Sequence, residues 1–213
     1  MKEALIVWGG WGGHQPEATA AVIAAMLRAQ DFHVYVEDTT EAFADPALER
    51  MSLIVPILTM SKIEKEELEG LTSAVKAGVG LGGFHGGMGD AFRDSLDYNF
   101  MVGGQLVAHP GDFIDYRVDI ALPDDPIVAG IDGFAYRSEQ YYLHVDPTNE
   151  VLATTTFSGE HAPWLKGAVM PVVWKRRHGL GRVFYSALGH EPAEFTVPQM
   201  KTILERGLAW AAR

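Results

Sequence analysis

A glycine-rich turn with a central histidine is the feature of this sequence with the clearest chemical meaning. It reads GGFHGG over Gly82–Gly87 and has the layout of a nucleophile elbow, in which small residues flank a side chain held on a strained strand-to-helix turn. Histidine there serves as a general acid or base, a metal ligand or a hydrogen-bond donor. We predict His85 to be catalytic, with Gly86, Gly87 and Asp90 contacting the substrate.

A second glycine-rich turn, WGGWGGH over Trp8–His14, lies near the start of the chain. Its glycines permit positive φ angles and close approach of a ligand, and a helix beginning near Pro16 directs its first N–H groups at this spot. The turn lacks the Gly-Lys-Ser/Thr ending of a Walker loop. We predict that Gly10, Trp11 and His14 contact substrate, the indole by stacking on a sugar ring; a tight turn without ligand is the alternative.

The stretch Arg137–Val145 contributes a carboxylate and a phenol. If it is extended, Glu139 and Tyr141 share a face, because side chains alternate along a strand. Together they can bind sugar hydroxyls, so we predict Glu139 as a catalytic residue and Tyr141 as a substrate contact. His144 joins them as a substrate contact only if the chain bends, and a solvated edge strand is the alternative.

A divalent metal such as zinc is an open alternative, with Glu139 or Asp90 as an oxygen ligand. The nitrogen ligands would come from His14, His85, His144 and His190. No HxH or HExxH spacing is present, but a site built from separate loops leaves no short-range pattern. The remaining loop residues of this kind are expected at the surface, namely His109, Asp112 and His161.

Composition excludes several classes of function. The chain has 213 residues and no cysteine, so thiol nucleophiles, thiolate metal sites and disulfides are absent. A net charge of −11 argues against nucleic acid and anionic membranes as partners. No apolar run approaches a membrane span, and Met1–Trp8 lacks a signal-peptide pattern, so we expect a cytoplasmic protein with one domain over residues 1–213.

Alternating strands and helices predict an α/β fold with parallel pairing in the first half. The predicted helices cover Pro16–Gln30, a segment from Ser61 to Lys76 opened by a Ser61–Glu64 capping box, a short piece at Met88–Leu96, and Val197–Ala212. The predicted strands are Ala4–Trp8, Phe32–Glu37, Leu53–Leu58, Val79–Phe84, Asp115–Leu122, Val151–Phe157, Met170–Arg176 and Arg182–Ala187. Ligands of such sheets bind at the carboxyl ends of the strands, where both glycine turns fall.

These motifs together resemble the ThuA (trehalose utilisation) family. The resemblance is carried by both glycine turns, by EQYY at Glu139–Tyr142, by PVVW at Pro171–Trp174 and by the segment Gly179–His190, which ends in Gly-His. It implies a class I glutamine amidotransferase-like, flavodoxin-like fold: a three-layer sandwich with a mostly parallel central sheet. The family lacks the nucleophilic cysteine and carries histidine in the elbow, as this chain does at His85.

The resemblance also implies a role in the metabolism of trehalose and related disaccharides, beside a sugar dehydrogenase that forms 3-keto sugars. His190 and Glu191 fall where a cysteine amidotransferase keeps its base and acid, so we predict His190 as the partner of His85 and Glu191 as a substrate contact. The leading hypothesis is histidine acid/base chemistry on a disaccharide or 3-keto sugar. A non-catalytic sugar- or partner-binding protein and a metal-dependent hydrolase are the alternatives, and a homodimer is expected on general grounds.

Overall fold

A nine-stranded sheet forms the centre of the computed structural model, which describes residues 2–213. Its strand order is β2-β1-β3-β4-β11-β10-β9-β6-β7, and a separate pair joins β5 to β8. The strands are β1 (Lys2–Trp8), β2 (Phe32–Glu37), β3 (Leu53–Ile57), β4 (Gly80–Phe84), β5 (Gly104–Ala108), β6 (Phe113–Ile120), β7 (Phe134–Glu139), β8 (Tyr142–Val145), β9 (Glu150–Thr156), β10 (Val169–His178) and β11 (Gly181–Ser186).

The sheet is mixed, and its core is mostly parallel, as predicted. β2, β1, β3, β4 and β11 run parallel to one another. Beyond β11, the strands β10, β9, β6 and β7 continue the sheet by antiparallel pairing. The central strands of the parallel half are buried along their length: every residue of Leu53–Ile57 and Gly80–Phe84 is buried. This agrees with the continuous apolar runs in the sequence, because parallel strands are covered on both faces.

Helices pack around this sheet. The α-helices are α1 (Pro16–Arg28), α2 (Lys65–Lys76), α3 (His85–Gly89), α4 (Leu96–Val102) and α5 (Pro198–Ala211). The closing helix α5 is amphipathic: Met200, Ile203, Leu204 and Leu208 are buried, and Trp210 is partly buried against the core. Within residues 2–213, none of the helices is both long enough and apolar enough to cross a membrane.

Two predicted helix boundaries are wrong. The capping box of α2 pairs Glu64 with Glu67, whose carboxylate accepts a hydrogen bond from the Glu64 N–H at 2.9 Å; Ser61 lies before it, in a non-helical segment. The segment Met88–Leu96 is not one helix either, because α3 ends at Gly89 and α4 begins only at Leu96, where the Ser95 side chain accepts from the Tyr98 N–H.

Candidate functional site

The carboxyl ends of neighbouring parallel strands bring the candidate residues together. His14 follows β1, Thr59 follows β3, His85 directly follows β4, and His190 follows β11. Since β1, β3, β4 and β11 are consecutive in the sheet, the loops after them meet at one edge, as expected for an open parallel sheet. Glu139 enters this edge from the antiparallel half, as the last residue of β7.

His85 is held in the strained turn that the glycines predict. Its φ is +44°, a left-handed backbone conformation that non-glycine residues adopt at a cost. The turn is secured by the Tyr185 hydroxyl, which donates to the His85 carbonyl at 3.1 Å. The ring Nδ1 lies 2.9 Å from the Ala187 carbonyl oxygen, which only accepts, so Nδ1 carries a proton. The Tyr141 ring stacks on the imidazole with centroids 4.1 Å apart.

Three polar atoms form a nearly equilateral triangle beside the elbow. His85 Nε2 lies 3.2 Å from Glu139 Oε2 and 3.2 Å from His190 Nδ1, and His190 Nδ1 lies 3.3 Å from Glu139 Oε2. All three side chains are at most 10% exposed. The structure therefore assembles the three residues predicted as catalytic, from sequence positions 54 and 105 residues away from His85.

His14 completes this group as a fourth member. Its Nδ1 lies 2.8 Å from the Thr59 hydroxyl, and its ring centroid lies 4.9 Å from that of His85 and 4.5 Å from that of His190. One ligand atom from each of His14, His85, Glu139 and His190 lies within 4.8 Å of the others. We call these four residues the histidine–glutamate cluster.

The electrostatics of the cluster favour neutral histidine at His14 and an ionised carboxylate at Glu139. Burial, followed by the electrostatic influence of the neighbouring His85 and His190 rings, lowers the pKa of His14 to about 3. For Glu139, burial is the largest influence and raises the pKa. Hydrogen bonds with His190 and His85 and the charges of His85 and His109 outweigh it, so the pKa of Glu139 is lowered overall.

His190 is positioned by an acid that sequence reasoning missed. The Glu194 carboxylate accepts a hydrogen bond from the His190 backbone N–H at 3.0 Å, and others from the Tyr136 hydroxyl at 2.5 Å and the Ser138 hydroxyl at 2.9 Å. Glu191, the acid predicted next to His190, is half-buried and precedes the short 3₁₀ helix Pro192–Thr196. The sequence shows that Glu194 is an acid close to His190. Its burial and its hydrogen-bond partners on β7 are visible only in the structure.

A cavity of about 250 Å³ opens above the cluster. Its walls come from residues of several loops, namely Trp11, His14, Thr59, Met60, Asp90, Arg93, Leu106, His109, Glu139 and Tyr141. His85 and His190 are not among its lining residues, so they lie beneath its floor. Two larger open cavities, of about 490 and 500 Å³, share no residue with the cluster.

The cavity includes a residue that was expected at the surface. His109 is only part-exposed, and its Nδ1 lies 3.7 Å from Glu139 Oε1 and 3.2 Å from Asp112 Oδ1. Neither contact is a hydrogen bond of good geometry, so this buried nitrogen has no partner within residues 2–213. Asp112 and His161 are exposed, as predicted.

The other predicted contacts have different surroundings. Trp11 is 47% exposed at the cavity, whereas the Asp90 carboxylate is already paired with Arg93 at 2.5 and 2.7 Å. His144 is exposed on β8 and lies outside the cluster.

For Gly10, a Cβ would lie 2.1 Å from the Thr59 carbonyl oxygen. A Cβ on Gly87 would lie 3.1 Å from Ile57 Cα, so both glycines are needed for backbone packing.

Several solved structures share the fold of this chain. A putative ThuA-like protein from Parabacteroides merdae superimposes with a TM-score of 0.83 at 17% identity, covering 99% of this chain and 89% of the other. One from Bacteroides uniformis gives 0.80 at 18% identity, covering 99% and 91%. A cytoplasmic protein from Salmonella typhimurium gives 0.66 at 15% identity, covering 100% of both.

Sequence comparison gives the family. No curated protein matches this chain significantly. The family model described as "ThuA: Trehalose utilisation" matches residues 3–211, which include every residue of the cluster and of the cavity. On this match across nearly the whole chain, the protein belongs to the ThuA (trehalose utilisation) family.

Proposed function

We propose that this protein is an enzyme of carbohydrate metabolism that acts on a disaccharide or a 3-keto sugar. The observation that carries the proposal is the open cavity of about 250 Å³ with Glu139 and His14 of the buried cluster in its wall. Membership of the trehalose-utilisation family supports a sugar as the substrate. Concave sites with a few convergent polar groups and perturbed pKa values are typical of active sites.

The cavity suits one sugar ring. Its volume is just below the range of about 300–1,000 Å³ that is usual for drug-sized ligands, so the second ring of a disaccharide projects through the open mouth. The exposed Trp11 indole offers a flat apolar surface to the ring face. Glu139, held as a carboxylate, accepts hydrogen bonds from sugar hydroxyls.

The proposed chemistry is proton transfer at a carbon next to a carbonyl. A base removes the C–H proton, and the electron pair moves through the new C=C bond onto the carbonyl oxygen. Reprotonation at carbon then completes an isomerisation. In an elimination, the electron pair returns from oxygen to re-form the C=O bond, a C=C bond forms to the next carbon, and the oxygen substituent leaves that carbon and takes up a proton. Histidine suits the base because its ordinary pKa is near neutral.

Within the site, we assign the base to His109. His85 and His190 were the predicted acid/base pair, but both lie beneath the cavity floor and face Glu139. His109 lines the cavity, and its side chain is part-exposed, so a substrate in the cavity can reach its ring. In this arrangement His85 and His190 are positioning residues that hold Glu139. A keto sugar also requires an earlier oxidation of a sugar hydroxyl, the reaction of a sugar dehydrogenase.

We also infer a three-layer sandwich of the amidotransferase type. α1 packs on β1, β2 and β3, and α5 packs on β4 and β11. α1 also contacts the 3₁₀ helix that leads into α5, while α2 contacts α4. Right-handed crossovers to β2 on one side and to β4 on the other put α1 and α2 on opposite faces, so α1 and α5 form one layer and α2 and α4 the other.

The experiment is proton NMR of trehalose and 3-keto-trehalose with purified protein in D₂O. We expect exchange of the C–H next to the keto group and a new product. His109→Gln should lower the rate by about 100-fold or more, the usual contribution of a general base, whereas His33→Gln should not, because His33 is exposed on β2. Binding of the keto sugar without exchange or turnover would establish the non-catalytic alternative and refute the proposal.

A further inference from the structure

We infer that the histidine–glutamate cluster binds a divalent transition-metal ion. The ligands are one ring nitrogen each of His14, His85 and His190 and a carboxylate oxygen of Glu139, which lie within 4.8 Å of one another. The site itself follows from geometry and hydrogen bonding, while its catalytic use rests on the proposed function. The ion lies beneath the cavity floor and reaches the cavity on the side of His14 and Glu139.

The spacing of the ligand atoms matches a tetrahedral site. Zinc–nitrogen and zinc–oxygen bonds are about 2.0–2.2 Å long, and the edge of a tetrahedron of that size is about 3.3–3.6 Å. The atoms of His85, Glu139 and His190 are 3.2, 3.2 and 3.3 Å apart, so they already form one face. The fourth ligand is His14, whose ligand atom lies within 4.8 Å of the other three, so its ring has to move inward to complete the tetrahedron.

Proton counting leaves a deficit that a cation removes. His85 donates its Nδ1 proton to the Ala187 carbonyl oxygen. In the neutral ring, Nε2 therefore has a lone pair and no proton. This lone pair faces the carboxylate oxygen of Glu139 at 3.2 Å, and two acceptors at that distance repel each other. The single proton of a neutral His190 cannot bridge both contacts of its Nδ1. A metal ion in the centre turns all three lone pairs into favourable contacts.

The surroundings also fit a metal site. Histidine ligands of metals almost always donate their second N–H to a carbonyl, carboxylate or similar group, which fixes the ring and its tautomer. His85 does so with the Ala187 carbonyl, and His14 Nδ1 has the Thr59 hydroxyl at 2.8 Å. Glu194 fixes the backbone of His190. Each histidine of the cluster is therefore held by a group outside the cluster.

The ligand set indicates the kind of metal and its use. Three nitrogens, one oxygen and no sulfur suit zinc, manganese or iron(II) and argue against magnesium or calcium, which prefer oxygen ligands. A sugar carbonyl oxygen that joined the four protein ligands from the cavity as a fifth ligand would be polarised, which would acidify the neighbouring C–H for removal by His109. Glu139 then acts as a ligand, and His85 and His190 act as ligands rather than proton carriers.

The test is calorimetric titration of EDTA-treated full-length protein with Zn²⁺ and with Mn²⁺, checked by elemental analysis after dialysis. We expect one ion per chain. His190→Ala should weaken binding by about 100-fold or more, and Thr59→Val, a milder change next to His14, by about 10–100-fold. His33→Ala should bind like the wild type, since His33 is exposed on β2. Circular dichroism confirms that each variant is folded.

The possible results separate this inference from the proposed function. Protein that binds neither ion, or binds them equally well after His190→Ala and Thr59→Val, overturns the metal site. If such metal-free protein still catalyses exchange of the C–H next to the keto group, the proposed function stands without the metal site. If the ion binds as expected but no sugar reacts, the metal site stands and the sugar chemistry fails. If the protein hydrolyses an intact disaccharide only when metal is present, the metal site is supported. Metal-dependent hydrolysis then replaces proton abstraction as the reaction.

Discussion

Replacing Gly86 by alanine tests whether the ring position of His14 matters for function. A Cβ at Gly86 would lie 2.6 Å from His14 Cε1, 3.0 Å from Thr59 Cγ2 and 3.1 Å from His14 Nδ1. Carbon atoms in good contact are about 3.5–4.0 Å apart, so the imidazole must retreat by about 1 Å. The backbone of Gly86 is not in the left-handed region, so the effect comes from crowding and not from backbone strain.

The magnitude follows from this displacement. A misplacement of about 1 Å in an active site costs about 100-fold in rate, which corresponds to about 2.7 kcal/mol. Metal sites tolerate only about 0.2 Å in ligand distance, so zinc affinity should fall as well. Overpacking should lower stability by about 1–3 kcal/mol, which corresponds to roughly 2–4 °C in Tm per kcal/mol for a chain of this size.

The assay compares Gly86→Ala with Gly12→Ala in the neighbouring loop. A Cβ at Gly12 has no atom within 4 Å, so this control should keep wild-type turnover, wild-type zinc affinity and at least wild-type stability. Two quantities are measured at 25 °C, where both variants should be folded. They are the exchange in D₂O of the C–H next to the keto group of 3-keto-trehalose, and the binding of zinc by titration. If Gly86→Ala keeps both turnover and zinc affinity within a factor of two, the placement of His14 in the site is refuted.

Two further perturbations test other parts of the structure. Glu194→Ala leaves the Tyr136 and Ser138 hydroxyls and the His190 N–H without their acceptor, and each unsatisfied buried donor costs about 1–3 kcal/mol. We expect urea unfolding to show a loss of about 3–5 kcal/mol, and a loss below 1 kcal/mol would contradict the role of Glu194. Burial raises the pKa of Tyr98, so its folded-state pKa exceeds the ordinary 10.0; its stabilisation is complete below pH 10 and is lost as pH rises above it. Tyr98→Phe should therefore flatten the fall in unfolding free energy between pH 10 and 11 by about 1 kcal/mol, and equal slopes would refute this.

The parallel half of the fold was predictable because its signals are local. Each of these signals is contained within a few residues. Examples are the apolar run Leu53–Leu58, the glycines at strand ends and the helix start at Pro16, and each is set by short-range sterics and burial. The antiparallel half was only partly predictable. β5 was missed, and β7 and β8 were anticipated only as a conditional extended stretch over Arg137–Val145. β7 is a mixed polar segment, FAYRSE, whose pairing with β6 is decided by long-range contacts.

The site divides in the same way. The sequence by itself determined that His85 occupies a strained elbow and that His14 and His190 follow strands, because glycine patterns and strand ends are properties of the local chain. Only the tertiary structure decided which of the eight histidines meet. It brought His14, His85 and His190 together, left His144 exposed at the surface and placed His109 in the wall of the cavity.

The physical reason is that strand order across the sheet is not encoded locally. Burial of side chains from distant segments places β1, β3, β4 and β11 side by side, and this order alone makes their loops neighbours. Glu139 and Glu194 meet their histidines only after the antiparallel strands and the closing segment have packed against that edge. The residue types were therefore readable from the sequence, whereas their distances, partners and pKa shifts were set by the folded chain.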